Sequence, residues 1–248
     1  MDRLPAATDH RPWPMPRGRW AMRMTWHELL FAHWPVRWEA LQPVVPGALA
    51  IDTFDGSAWV GVIPLGMRGV RPRGWPAALG WAFLELNVRT YVTVGGKPGV
   101  YFFSLDAANR LAVRAARWSW NLAYFDAAVS LHHDDEGWIN YASERTHRGA
   151  PAARLAARYR PVGGAQRAAA GSFEQFAMER YCLYTVNRRG HVHRGEIHHG
   201  PWMLRPAEAR FDVLEMTEQV GVALPETLPR LHHADAMDVV AWLPERQG

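Results

Sequence analysis

The sequence of 248 residues contains one lysine and one cysteine, and it lacks long apolar runs. A single cysteine, Cys182, excludes an internal disulfide and is typical of proteins of the reducing cytosol. No apolar run reaches the roughly 18 residues of a membrane span, and the first 20 residues contain no apolar signal-peptide core. We therefore expect a cytoplasmic protein without a membrane partner.

Basic residues are almost all arginine, because Lys97 is the single lysine among 28 basic residues. This bias is typical of a GC-rich genome and does not by itself indicate an acidic ligand. Arg110, Arg114 and Arg117 share one side of a helix predicted over 107–118, which is the pattern of a solvated face. No nucleic-acid-binding module, glycine-rich phosphate loop or G-x-S-x-G motif is present, so we expect no nucleic-acid partner.

The sequence favours many strands with a few short helices. A Pro- and Arg-rich arm is expected over 1–20, helical turns over 37–42 and 206–208, and an irregular loop over 67–81. A capping box at 172–175 predicts the start of a second helix. Strands are predicted over 28–33, 58–65, 83–94, 99–106, 138–147, 153–159, 181–187, 191–199, 211–217 and 237–243.

The hairpin predicted over 83–106 is the most informative stretch. Polar Glu85, Asn87 and Arg89 alternate with apolar residues, so they share one face of a strand. Such a face is either an ordinary wet surface or the polar wall of a cavity. Pattern alone favours the solvent-facing surface, because exposed charge is the rule for such residues. Short polar residues that disfavour strands, without the Lys/Glu repetition of a solubilising face, favour the cavity instead.

The second strand of this hairpin adds two more polar residues to the predicted face. If the turn consists of residues 95–98, Val94 pairs with Gly99 and Arg89 lies opposite Ser104. The same register places Asn87 opposite Asp106. We therefore expect one polar face that comprises Glu85, Asn87, Arg89, Ser104 and Asp106.

Long strings of the chain match one family in the correct order. They are WHELLFAHWPV (26–36), VPGALAIDTFDGSAWVGVIPL (45–65), FLELNVRTYV (83–92), GVYFFSLDA (99–107), ERYCLYT (179–185) and IHHGPWML (197–204). From about residue 22 onward the chain resembles the YqjF-like, DUF2071 proteins of the acetoacetate-decarboxylase-like superfamily. The resemblance implies a mainly β (α+β) fold over 21–248, a single domain with a largely antiparallel β-barrel around a small polar cavity. It implies no established reaction.

The lysine chemistry of that superfamily is not expected here. In acetoacetate decarboxylase a lysine forms a Schiff base with the substrate ketone, and a neighbouring lysine lowers its pKa. In this chain Lys97 lies in a predicted turn and has no second lysine to lower its pKa. We therefore expect neither acetoacetate decarboxylase activity nor a cofactor.

Because the resemblance implies a small polar cavity, the polar face is a candidate site for a carboxylate or carbonyl compound. Glu85 is the candidate general acid or base, since burial in an apolar barrel raises the pKa of a carboxyl group. Arg89 would hold a substrate carboxylate with two hydrogen bonds, or it would form a structural ion pair with Glu85 or Asp106. Asn87 and Ser104 would orient a polar ligand group, or satisfy each other.

Two histidines complete the candidate site. His33 belongs to the lining or core residues of the predicted barrel, and His199 either projects into the cavity or hydrogen-bonds the backbone next to Pro201. His199 also ends a histidine-rich stretch over 191–202, but its spacing matches no zinc signature, so we expect no metal.

Three functions remain open at this point. The first is an acid–base enzyme that acts on a small keto, hydroxy or enol acid. The second is a non-catalytic barrel that senses a metabolite. The third is a structural or interaction protein whose aromatic-rich surface, in a chain with 13 tryptophans, forms a homo-oligomer. In that case the interior of the barrel is filled and dry.

Overall fold

The computed structural model describes residues 7–247 of the chain. In this part the chain forms a mainly β fold with three short helices and two 3-10 turns, at Ala77–Leu79 and Glu218–Val220. The helices are α1 (Trp38–Leu41), α2 (Arg110–Ser119) and α3 (Phe173–Met178). The strands are β1 (Met22–Val36), β2 (Ala50–Ile51), β3 (Ala58–Pro72), β4 (Trp81–Val94), β5 (Lys97–Ala107), β6 (Tyr124–His133), β7 (Ile139–Arg145), β8 (Arg154–Pro161), β9 (Gln166–Arg167), β10 (Cys182–Val186), β11 (Val192–His199), β12 (Met203–Leu214), β13 (Arg230–Ala241) and β14 (Glu245–Arg246).

The strands form one sheet that closes on itself twice. One ring runs β5-β6-β7-β8-β12-β13-β1-β3-β4 and returns to β5 through the pairing of β4 with β5. A second ring of seven strands runs β5-β10-β11-β13-β1-β3-β4 and uses the same closure. Neighbours are antiparallel, except that β5 runs parallel to both β6 and β10. The mainly β fold with few short helices is therefore confirmed.

Parts of the strands shared by both rings are buried on both faces, for example residues 58–67 of β3 and 85–88 of β4. Leu86 and Val88 of β4 pack into one hydrophobic core together with Tyr141 and Tyr159. The other face of β4 carries the polar residues Glu85, Asn87 and Arg89 into the interior of the seven-strand ring. A strand that is buried on both faces reads as a nearly continuous apolar run, which accounts for AWVGVIPL at the start of β3.

The register of the β4–β5 hairpin differs from the prediction. Val94 pairs with Lys97, so the turn has only two residues, Gly95 and Gly96. Both glycines have positive φ angles, 57° and 74°, as a tight type I′-like turn requires. The predicted four-residue turn, with Val94 opposite Gly99, is therefore wrong.

A bulge shifts this register once more. The irregularity lies between Val88 and Arg89, where Val88 pairs with Ser104 but Arg89 pairs with Phe102. Beyond the bulge, Leu86 lies opposite Asp106. Because directly paired residues of antiparallel strands share a face, Ser104 and Asp106 lie on the face of Leu86 and Val88. The prediction of one polar face with five members is wrong.

Other elements follow the sequence more closely. The Ser172 hydroxyl accepts from the backbone N–H of Gln175 and caps α3, as the capping-box pattern predicts. The predicted loop over 67–81 is shorter, since β3 continues to Pro72 and β4 begins at Trp81. The helical turn predicted over 206–208 is wrong, because these residues belong to strand β12.

Residues 1–6 of the predicted arm lie outside the described residues, but the part from residue 7 onward docks on β11. The Arg11 guanidinium lies 3.0 Å from the Glu196 carboxylate and donates to the Ile197 carbonyl at 2.7 Å. The Trp13 indole donates to the same Glu196 carboxylate at 2.9 Å. Within residues 7–247, no helix has the length and apolar character needed to cross a bilayer.

Candidate functional site

A cavity of about 120 Å³ lies inside the seven-strand ring. Every strand of that ring contributes lining side chains, for example Ile63 from β3 and Leu183 from β10. Most of the wall is apolar, and Trp26 and Trp202 stack on each other within it at a centroid distance of 6.2 Å. Six polar side chains interrupt this wall: Glu85, Asn87, Arg89, Tyr124, Arg180 and His199.

Strand β4 supplies three of these polar side chains. Glu85, Asn87 and Arg89 follow one another at two-residue steps on one face, as their alternation in the sequence predicts. At about 3.3 Å of rise per residue, the Cα atoms of Glu85 and Arg89 lie about 13 Å apart. The acid and the guanidinium therefore approach the cavity from separate places along one strand.

Glu85 is a buried carboxyl group with defined partners. The residue is 3% exposed, and its Oε2 accepts from the Tyr124 hydroxyl at 2.6 Å. The Asn87 side chain also hydrogen-bonds the carboxyl group, and the Tyr141 hydroxyl donates to the Glu85 backbone carbonyl at 2.7 Å. Burial outweighs these hydrogen bonds and raises the pKa of Glu85 to about 7.

In the part of the chain that the structure describes, no carboxylate neutralises the charge of Arg89. Its Nη2 donates to the Ala177 carbonyl at 3.2 Å and to the Tyr91 hydroxyl at 3.4 Å, while its Nε is buried without a hydrogen-bond partner. The guanidinium lies 5.6 Å from the centroid of the Phe31 ring. Among the residues that the structure describes, it has no ion pair, so a pair with Glu85 or Asp106 is not formed.

Ser104 and Asp106 are not part of the cavity wall. Asp106 forms an ion pair with Arg145 on the opposite face of the sheet, and the Ser104 hydroxyl accepts from Gln219 Nε2 at 2.9 Å. Their predicted place beside Glu85 and Arg89 depended on the register of the hairpin, and the bulge moves them to the other side.

His33 lies behind the cavity wall rather than in it. Its Nε2 is 2.5 Å from the Tyr91 hydroxyl, the group that also accepts from Arg89. Burial, with a further contribution from Arg89, holds the pKa of His33 well below its ordinary value. A neutral His33 therefore contacts Tyr91, which also hydrogen-bonds Arg89, and it does not line the cavity.

His199 does line the cavity, and it also makes the backbone hydrogen bond that was the alternative. Its Nδ1 donates to the Gly200 carbonyl at 2.6 Å, and its ring stacks on Tyr181 at 4.6 Å. Burial lowers the pKa of His199 to about 4, so the imidazole is neutral near pH 7.

Sequence reasoning did not single out two polar lining residues, Arg180 and Tyr124. Arg180 donates to Asp52 Oδ2 at 2.7 Å and to the Phe176 carbonyl, so its charge is paired. It stands in the matched string 179–185, which was the available signal. Tyr124 lies on β6, a strand that the sequence pattern did not reveal.

Neither the lysine nor any histidine of the stretch 191–202 other than His199 lines the cavity. Lys97 Nζ is 3.4 Å from Glu196 Oε1 and 5.2 Å from the centroid of the Trp13 ring, outside the cavity wall. Throughout residues 7–247, no group of three or more His, Cys, Asp or Glu side chains is arranged to hold a metal ion.

The fold and the cavity define a protein of the acetoacetate-decarboxylase-like structural class. The chain superposes with a TM-score of 0.67 on the enduracididine biosynthesis enzyme MppR complexed with the condensation product of pyruvate and imidazole 4-carboxaldehyde, at 11% identity over 91% of this chain and 88% of MppR. An acetoacetate decarboxylase-like enzyme from Sphingomonas wittichii RW1 gives a TM-score of 0.62 at 11% identity, covering 96% of this chain and 99% of that enzyme. At these identities the likeness shows the fold alone.

The family follows from sequence similarity. The DUF2071 model, described as an uncharacterized conserved protein, matches residues 23–238. The chain is 43% identical over 229 residues to the uncharacterized protein YqjF of Bacillus subtilis (strain 168), which covers 92% of this chain and 93% of YqjF. The chain therefore belongs to the DUF2071 family, as its matching strings indicated.

Proposed function

We propose that this protein is an enzyme that binds a small keto, hydroxy or enol acid in the cavity and moves a proton on it by acid–base catalysis. The observation that carries the proposal is the uncompensated charge of Arg89 in the cavity wall. Arg89 is half-buried, and a guanidinium that is partly removed from water is costly unless an anion neutralises it. A ligand carboxylate supplies that charge and matches the two-pronged donor geometry of arginine.

Glu85 is the proposed acid–base group. With a pKa of about 7, both its protonated and its ionised forms are populated near neutral pH, as proton transfer in both directions requires. The ionised carboxyl would take the proton from the carbon next to the substrate carbonyl, which leaves an enolate and a neutral Glu85. Return of this proton to another atom of the enolate completes a tautomerisation without any co-reactant.

The size of the cavity limits the ligand. An apolar cavity of about 150 Å³ accommodates benzene, so 120 Å³ suits a ligand of about six non-hydrogen atoms. MppR, which has the same fold, is described in complex with a pyruvate-derived product, and this supports a keto acid as the ligand class. The position of Lys97 outside the cavity supports chemistry without a Schiff base.

Binding is tested by titrating a panel of small keto, hydroxy and enol acids against wild type and Arg89→Met. The control is Arg160→Met, which also removes one positive charge but from a half-exposed pair with Glu208. We expect wild type and the control to bind the same acids, and Arg89→Met to lose about tenfold or more in affinity. Equal binding by Arg89→Met, or no binding by the folded wild type, would overturn the ligand class.

Catalysis is tested on a keto acid that binds, by following hydrogen–deuterium exchange at the carbon next to its carbonyl group in D₂O by NMR. Wild type should accelerate exchange, and Glu85→Gln should bind the acid without accelerating it. Exchange by Glu85→Gln at the wild-type rate would remove Glu85 from the mechanism. Tight binding by wild type without exchange would instead identify a non-catalytic sensor barrel.

A further inference from the structure

A second concavity, of about 890 Å³, lies between α2, the segment that follows it and the hairpin of β10 and β11. This volume falls within the range of about 300–1,000 Å³ that is usual for small-molecule sites. Its wall is rich in cationic side chains and includes no Asp or Glu among the described residues. The cationic members are Arg114, Arg117, Arg188, Arg189 and His191. We call this concavity the arginine groove.

Three of these arginines keep an uncompensated charge. Arg114 is neutralised, since Asp126 accepts two hydrogen bonds from it at 3.1 and 2.8 Å. Arg117 donates to the Tyr124 carbonyl at 2.6 Å, which orients the guanidinium without supplying a negative charge. Within residues 7–247, Arg117, Arg188 and Arg189 have no carboxylate partner. The wall of the groove therefore carries three exposed arginines whose charge no described carboxylate neutralises.

Two further side chains in the groove are unusual for a merely solvated surface. Thr185 is only 5% exposed, and its hydroxyl has no hydrogen-bond partner in the described structure. Buried hydroxyl groups are normally satisfied, so the Thr185 hydroxyl, which lies beneath the groove surface, lacks a partner that such a group needs. Trp118 is 90% exposed and offers the indole ring on which a planar group can stack.

We propose that the arginine groove binds the nucleoside diphosphate group of a small molecule. The diphosphate would lie on Arg117, Arg188 and Arg189, because guanidinium groups pair with phosphate oxygens in a bidentate manner. The base would stack on Trp118. Phe102 and Leu122 line both the groove and the cavity, so the two sites share a wall but use different polar residues.

The probes are ADP, adenosine and inorganic pyrophosphate, titrated calorimetrically at low salt. We expect wild type to bind ADP more tightly than pyrophosphate, and adenosine weakly. The double variant Arg188→Gln/Arg189→Gln should lose about tenfold or more in ADP affinity, and Trp118→Ala should abolish the preference for ADP over pyrophosphate. Binding of ADP and pyrophosphate with equal affinity by wild type would overturn the stacked base.

Matched controls separate this site from general surface charge and from the cavity. Arg37→Gln and Trp38→Ala remove an exposed arginine and an exposed tryptophan elsewhere, and both should bind ADP as wild type does. Arg89→Met should also bind ADP as tightly as wild type does, because Arg89 lies in the cavity and not in the arginine groove. The test of the arginine groove is therefore independent of the outcome for the cavity. Undiminished ADP binding by the double variant, or no ADP binding by folded wild type, would overturn the proposal.

A single-stranded oligonucleotide is the last probe, because nucleic acid carries the same phosphate and base groups. We expect it to bind no more tightly than ADP, since the groove is one short concavity and not an extended basic track. An oligonucleotide that binds much more tightly than ADP would overturn the assignment to a small-molecule ligand.

Discussion

Arg145 and Asp106 form a bidentate ion pair, with Arg145 Nε 2.6 Å from Asp106 Oδ1 and Nη2 2.7 Å from Oδ2. Both side chains are 1% exposed. The pair joins β5 to β7, which are not neighbours in the sheet. The polar residues of the β4–β5 hairpin thus lie on two different faces. Glu85, Asn87 and Arg89 line the cavity, while Asp106 forms a structural ion pair between β5 and β7.

Breaking this pair should destabilise the protein without removing the proposed ligand site. Arg145→Met leaves the Asp106 carboxylate buried and unpaired, so we expect the free energy of unfolding to fall by about 3–5 kcal/mol. Urea denaturation measures this loss, and a titration with a cavity-binding acid on the folded fraction measures affinity. If affinity falls while stability is unchanged, Asp106 belongs to the ligand site after all.

The raised pKa of Glu85 should make stability fall between about pH 4.5 and 7. The folded protein holds this proton more tightly than the unfolded chain, so the stabilising contribution is complete below pH 4.5 and is lost as pH rises through about 7. The loss is on the order of 3 kcal/mol. We therefore expect Glu85→Gln to be more stable than wild type at pH 8 and similar at pH 4.5. Thermal unfolding of wild type and Glu85→Gln across this pH range tests the expectation. Glu208→Gln, which changes an exposed carboxyl group, is the control.

His199 should act in the opposite direction over nearly the same pH range. Its pKa of about 4 lies below the ordinary value of 6.5, so its contribution is present above pH 6.5 and is lost as pH falls through about 4. His199→Asn can keep a donor to the Gly200 carbonyl but cannot titrate. Because the effects of Glu85 and His199 on stability oppose each other in wild type, the free energy of unfolding should be measured for wild type and His199→Asn at each pH and the two values subtracted. If this difference in free energy does not change with pH, the burial of a neutral His199 is contradicted.

Lys97 should form no Schiff base with a keto acid. Its ammonium pairs with Glu196 outside the cavity, and the chain contains no second lysine. Incubation with pyruvate or acetoacetate and borohydride should therefore leave the mass of the intact protein unchanged, apart from any adduct at the chain's amino terminus. Peptide mapping distinguishes the two amines. A reduced adduct on Lys97 would contradict this prediction and show that Lys97 forms a Schiff base with the keto acid.

The β4–β5 hairpin shows which features of the candidate site could be predicted from the sequence. Alternation along 83–94 predicted the strand and the shared face of Glu85, Asn87 and Arg89, because the side-chain period of a strand is a local property. The positions of Ser104 and Asp106 required the turn length and the bulge. A shift of one residue reverses the face of every side chain beyond it, so a small error in register moved both residues to the wrong side.

By itself, the sequence determined the strand-rich fold, the family through its long matching strings, and the lack of a second lysine. These depend on local pattern and composition. Only the tertiary structure decided which face of β4 meets a cavity and that Tyr124 and Arg180 line its wall. It also decided that Arg89 has no carboxylate partner within residues 7–247. The reason is that the sheet closes through pairings such as β11 with β13 and β4 with β5, and residues 85–88 of β4 become buried on both faces. Alternation alone cannot distinguish two faces that are both buried.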